Sequence, residues 1–157
     1  MKEKNQILAI ESSFSELANS FGLNFDDIIE VLKIRDKEIP ATIFNSPLGP
    51  LENIVRYLRE NHGLKYSQIA ALLNKDKGVI GVTYRNAVRK YSGQLIVTSD
   101  QTIPLSKFYG EKFSIFEILV SYLKQKLSYR EIGKILNRNE RTIWTIYQRH
   151  LKKNEKI

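Results

Sequence analysis

The chain states one pattern twice, and this repetition constrains its architecture more than any other feature. Ile39-Pro40 opens a stretch that runs to Lys90, and Ile103-Pro104 opens a second, about 64 residues later, that runs to Lys153. Each copy soon reaches an aromatic, Phe44 or Phe108. An amphipathic segment follows, carrying Leu51, Ile54, Val55 and Leu58 in the first copy and Phe116, Leu119, Val120 and Leu123 in the second. Both copies close with two short helical patterns, which include Tyr84 and Tyr147. Two units are too few for a solenoid, whose repeats are stabilised by stacked neighbours. A duplicated small domain fits, and 157 residues have room for two or three of them.

Periodicity predicts three helices per copy. The apolar residues of the first segment fall at i, i+3, i+4 and i+7, one stripe on a helix. Pro50 suits the first turn of that helix in copy one, and Gly63 suits its left-handed end. In copy two, Ser114 and Glu117 make a capping box at the same place. Ser128 and Glu131 form another box before a short second helix that buries Ile132, Ile135 and Leu136. Ile69, Leu72 and Leu73 do the same in copy one. The residue after the first of each set is small, Ala70 or Gly133, as a close helix crossing requires. Asn74-Lys75-Asp76 and Asn137-Arg138-Asn139 read as polar turns whose last residue caps a third helix. In copy two, that helix puts Ile143, Ile146, Tyr147 and His150 on one face and Arg141, Thr145, Gln148 and Lys152 opposite. The matching faces in copy one are Ile80, Thr83, Tyr84 and Ala87, against Gly78, Val82, Arg85 and Arg89.

Residues 128–144, Ser-Tyr-Arg-Glu-Ile-Gly-Lys-Ile-Leu-Asn-Arg-Asn-Glu-Arg-Thr-Ile-Trp, resemble the tri-helical helix-turn-helix domains of bacterial sigma-factor region 4, transposases and small prokaryotic regulators. The resemblance covers about 25 residues of copy two. Copy one departs from it at Gly78 and Gly81, which weaken a third helix by roughly 1 kcal/mol each. It implies an all-α fold of tandem three-helix helix-turn-helix domains, and a DNA-binding mode with the third helix in the major groove. The expected division is an acidic helical leader over 1–38, one unit over 39–92, a short extended linker over 93–104 and a second unit over 105–157. The leader reads either as a third, degenerate helix-turn-helix or as a plain helical pair, since Phe14, Ser15, Leu17, Ala18 and Ile28 overlay Tyr66, Ser67, Ile69, Ala70 and Ile80 without a gap.

The net charge of +8 is unevenly placed. Residues 1–40 carry five Lys/Arg against eight Asp/Glu, residues 41–92 eight against three, and residues 93–157 twelve against six. The positive charge therefore belongs to the repeats, and such a surface attracts polyanions, nucleic acid foremost. Arg138, Arg141, Thr145, Gln148, Arg149 and Lys152 are the expected base-reading set. Arg bonds guanine bidentately, Gln bonds adenine and the Thr methyl meets that of thymine. Lys65, Lys75, Lys77, Arg85, Arg89, Arg130 and Lys134 are the expected phosphate contacts, which position without reading sequence. Trp144 reads either as a residue in a seam between units or subunits, or as a ring laid on deoxyribose or a thymine methyl. Asp26, Asp27 and Glu30 would be repelled by phosphate and read as interface residues, for self-association or a protein partner. The 13 residues from Ser92 to Pro104 reach at most about 43 Å, enough to span the roughly 34 Å between successive major grooves. Leu95-Ile96-Val97 could also pair with the extended residues around Ile39 or Ile103.

Other classes find little support. The chain has no cysteine and two histidines, so disulfides, thiolate metal sites and a usual zinc site are not expected. No signal-peptide pattern and no long apolar run appears, which predicts no membrane partner and a cytoplasmic, nucleoid-associated, prokaryotic-like protein. No glycine-rich phosphate loop, nucleophile–base pair or acid cluster is visible, so neither an enzyme nor a cofactor is expected. The expectation is a sequence-specific double-stranded DNA-binding regulator. A sigma-like or recombination accessory factor and a protein-only helical adaptor are the alternatives.

Overall fold

The computed structural model describes residues 1–98, 100–110 and 112–156, and among them eight α-helices and one two-stranded ribbon. In chain order these are α1 (Lys2–Phe21), α2 (Phe25–Arg35), β1 (Glu38–Pro40), α3 (Pro50–His62), α4 (Tyr66–Leu73), α5 (Lys77–Lys90), β2 (Thr102–Pro104), α6 (Ile115–Leu123), α7 (Tyr129–Leu136) and α8 (Glu140–Glu155). A short 3-10 turn follows each strand, Ala41–Phe44 and Leu105–Phe108. The all-α class is as the sequence predicts.

Local chemistry sets the helix ends. Ser114 and Ser128 each accept from the backbone N–H of the Glu three residues on, and those carboxylates accept from the serine N–H in return. Pro50 opens α3, and Gly63 ends it with a left-handed φ of 64°. Asn74 and Asn137 end α4 and α7 in the same left-handed region, at φ 52° and 51°. Asp76 and Asn139 then cap α5 and α8 by accepting from backbone N–H groups two residues on.

Two further devices recur in both copies. Tyr66 packs against Tyr84, and Tyr129 against Tyr147, each pair with ring centroids 6.0 Å apart. Lys90 reaches Glu52 at 2.7 Å, and Lys153 reaches Glu117 at 2.8 Å. Each third helix is thus clipped to the carboxylate that caps the first helix of its own unit. Ile54, Leu58, Ile69, Leu73 and Ile80 are buried between α3, α4 and α5, and Leu119, Leu123, Ile132, Leu136 and Ile143 between α6, α7 and α8.

The units meet through the Ile-Pro motifs themselves. β1 and β2 pair antiparallel with Ile39 opposite Ile103, the corresponding residues of the two copies. The flanking bonds correspond too, Ala41 N–H to the Gln101 carbonyl at 2.8 Å and Leu105 N–H to the Lys37 carbonyl at 2.9 Å. Phe44 lies on Phe108 with centroids 6.0 Å apart. Each 3-10 turn also packs on the second helix of the other unit, Ala41–Phe44 on α7 and Leu105–Phe108 on α4. A local two-fold axis through the Ile39–Ile103 pair therefore relates the copies. Three-residue strands have no stability of their own; burial of both isoleucines and both phenylalanines holds the ribbon.

The expected linker over 93–104 thus ends in a strand. Leu95-Ile96-Val97 does not pair with the Ile39 or Ile103 segment, because these take each other. Pro40 and Pro104 lack the outward N–H that a further strand on either edge would need, and Ile96 and Val97 stay exposed. Arg56 pins the start of the linker instead. Its buried guanidinium donates to the carbonyls of Tyr91 at 2.7 Å and Gly93 at 2.9 Å, and pairs with Glu60 at 3.1 Å.

The leader forms α1 and α2, with the left-handed Gly22 between them. Two helices joined by this turn are common to both readings of the leader. Ile28, Val31 and Ile34 bury the inner face of α2, which packs on α4. Asp27 and Asn24 form a capping box, and the Asp27 carboxylate also accepts from Lys65 Nζ at 2.8 Å. That hydrogen bond holds the carboxyl below its ordinary range, against the opposing effect of burial. Gln68 donates to the Asp27 carbonyl at 3.3 Å. Residues 1–13 of α1 are exposed; packing begins at Phe14.

Candidate nucleic-acid interface

The turn between α7 and α8 is built around Gly133. A Cβ there would sit 2.7 Å from the Arg138 carbonyl oxygen, and the Arg138 N–H donates to the Gly133 carbonyl at 2.8 Å. The missing side chain lets the turn fold against α7, which fixes the angle at which α8 leaves. The corresponding turn of copy one closes over Ala70 with the equivalent bond, Lys75 N–H to the Ala70 carbonyl at 3.0 Å.

On α8, Arg141, Arg149 and Lys152 are exposed, while Thr145 and Gln148 are half-buried. Thr145 donates its hydroxyl proton to the Arg141 carbonyl at 2.9 Å, leaving its methyl for outside contact. Arg138 is less free than the others. Its Nη1 donates to the carbonyls of Leu136 and Asn137, and its guanidinium lies 5.9 Å from the Phe116 ring. It gathers with Arg130 and Lys134 around an open groove at the turn, lined also by Asn137 and Glu140. Three cations expected in two separate roles thus share one place. Trp144 does not lie between the units. It is 49% exposed and lines a shallow cleft with Tyr129, Asn139, Glu140 and Arg141.

On α5, Arg85 and Arg89 are exposed, with Val79 and Val82 on the same open surface. Gly81 at Trp144's place leaves room for the Arg85 guanidinium, whose Nη1 would be 3.3 Å from an added Cβ. Lys77 is exposed and Lys75 half-buried. Lys75 and Arg149, from different units, line one groove between α3 and α6. Lys65 stands apart, paired with Asp27. Of the acidic trio, Asp26 is exposed, Glu30 half-buried and Asp27 buried in the contact with α4.

No family profile, curated protein or solved structure matches this chain. Among the described residues, no helix is long and apolar enough to cross a membrane, and no three His, Asp or Glu side chains stand where they could share a metal ion.

His150 was not foreseen beyond its place on the buried face. Its ring lies 4.5 Å from that of Phe113, and its Nδ1 is buried without a hydrogen-bond partner. Burial pushes its pKa down, opposed by Glu117 and reinforced by Lys112 and Lys153. Arg56 was also missed as an anchor. The only hint was its position, inside the apolar helix of copy one, where copy two has Ser121.

Proposed function

We propose that the chain is a sequence-specific double-stranded DNA-binding regulator, a single polypeptide built like a dimer. α4–α5 and α7–α8 act as two helix-turn-helix elements, with α5 and α8 as the groove-facing helices. The observation that carries this reading is the two-fold axis through Ile39 and Ile103. Dimeric helix-turn-helix proteins use such an axis to present paired recognition helices to half-sites of opposite orientation, one helical turn apart. The exposed Arg141 and Lys152 of α8, with the half-buried Gln148, supply base-edge chemistry. α5 offers Arg85, Arg89 and valine methyls, which suit phosphates and thymine methyls. The groove lined by Arg130, Lys134 and Arg138 suits a phosphate beside the α8 half-site.

Selection of duplexes from a random pool tests this. The expected winners hold two inverted half-sites with centres about 10 base pairs apart. One half-site is well defined and the other relaxed. Enrichment of direct repeats, or no enrichment with affinity insensitive to salt, overturns the proposal. Arg141→Ala with Gln148→Ala should flatten the defined half-site. Arg85→Ala with Arg89→Ala should weaken binding to all sequences alike.

A further inference from the structure

We propose that the exposed part of α1 pairs antiparallel with α1 of a second copy, making the protein a dimer of two-headed chains. Ile7, Ile10, Phe14, Leu17 and Phe21 recur at alternating spacings of three and four, the spacing of a coiled-coil seam. The downstream part of that seam is already used, since Phe14, Leu17 and Phe21 pack against the protein's own core. The upstream part overhangs it, and Ile7 and Ile10 are each 57% exposed. Phe25, 66% exposed, stacks on Phe14 with centroids 5.9 Å apart and lengthens the apolar floor at the end of the overhang.

Charge chooses both the occupant and its direction. With Ile7 and Ile10 in the core positions, Lys4 and Glu11 both flank the seam on the same side, at successive positions of one heptad class. In an antiparallel pair that class faces itself across the interface. Lys4 of one helix then meets Glu11 of the other, twice by symmetry, while Ile7 layers on Ile10. In a parallel pair the residue facing Glu11 is Gln6, which is uncharged, and Lys4 and Glu11 do not meet. The antiparallel arrangement also puts the two folded bodies at opposite ends of the helix pair, where they do not collide. One heptad with two isoleucines per helix makes a small contact, so association is weak and is expected to show only toward the upper end of the micromolar range.

Sedimentation equilibrium of the full chain, from about 1 to 200 µM at low salt, reads the association directly. Ile7→Glu with Ile10→Glu should leave only monomer, with an unchanged melting temperature because residues 1–13 lie outside the packed core. Lys4→Glu and Glu11→Lys should each weaken the dimer about tenfold, by turning both ion pairs into like-charge contacts. The double variant should return to within about threefold of the parent. The chain has no cysteine of its own, so a mixture of Lys4→Cys and Glu11→Cys chains should oxidise to the mixed dimer. Monomer throughout the range overturns the proposal. So do a dimer indifferent to the isoleucine changes, a double variant weaker than the singles, and Glu11→Cys chains that link only to one another.

Discussion

Two helical glycines, one in each copy, should respond to the same substitution in opposite directions. Gly81 in α5 and Gly133 in α7 both have helical backbone, so alanine gains roughly 1 kcal/mol of helix propensity at either site. What the new methyl meets differs. At Gly81 it lies 3.3 Å from Arg85 Nη1, the far end of a flexible side chain, and 3.5 Å from the Tyr66 ring. Arg85 can swing away, so Gly81→Ala should stabilise by about 0.5–1 kcal/mol. At Gly133 the methyl lies 2.7 Å from the Arg138 carbonyl oxygen, which belongs to a turn held by the Arg138-to-Gly133 hydrogen bond. Relief requires moving backbone, at about 1–3 kcal/mol for overpacking and about 1 kcal/mol for the weakened bond. After the propensity gain, Gly133→Ala should destabilise by about 1–3 kcal/mol. Urea and thermal unfolding followed by circular dichroism should place the two variants on opposite sides of the parent. At about 2–4 °C per kcal/mol for a chain of this size, their midpoints should differ by roughly 3–16 °C. If both midpoints move upward by similar amounts, the α7–α8 turn is looser than its geometry implies and Gly133 does not set the α8 angle.

Arg56→Met should cost about 3 kcal/mol, because it strands the Tyr91 and Gly93 carbonyls and frees Glu60; limited proteolysis should then cut between residues 91 and 98 in the variant sooner than in the parent. Phe44→Ala and Phe108→Ala should each cost about 3–5 kcal/mol in denaturant unfolding. Their double variant should cost less than the sum, since the rings touch each other across the axis. Acidification should destabilise the protein in two steps. His62 and His150 are held by burial below the ordinary value of about 6.5, so the unfolded chain takes up their protons first and stability falls as pH drops below about 6.5. Asp27, Glu52 and Glu131 also have lowered pKa values, and their contribution is lost only as pH falls below about 4. His150→Phe should flatten the upper step in urea midpoints taken between about pH 7.5 and 5.5, and an unchanged slope would exclude His150 as its source.

The helices were legible because their signals are local. Capping boxes at Ser114 and Ser128, Pro50 at a helix start and Gly63 at a helix end each act within four residues. The turn chemistry of Asn74–Asp76 and Asn137–Asn139 does the same. The α8 faces followed from spacing alone, and Ile143 and Ile146 are buried while Arg141 and Lys152 are exposed. Long-range choices were hidden. Nothing near Ile39 says that its partner is Ile103 rather than Ile96, because strand pairing is decided by which edges two domains leave open. Asp27 carried an acidic label in the sequence, but its partner Lys65 lies 38 residues away and became visible only once α2 was docked on α4. Trp144 left two readings open in the sequence, a seam between units or subunits and a ring laid on DNA; which units its ring would touch depended on packing that no local spacing shows.

Because both halves of the pseudo-dimer are written in one chain, a change in one half need not appear in the other. In a true homodimer every residue is present twice, and Gly81 could not stand opposite Trp144, nor Arg56 opposite Ser121. Here the reciprocal seating of Ala41–Phe44 and Leu105–Phe108 keeps the halves in register. Everything outside that seat is free to differ. The ribbon thus separates two requirements that symmetry normally binds together, staying paired and staying identical.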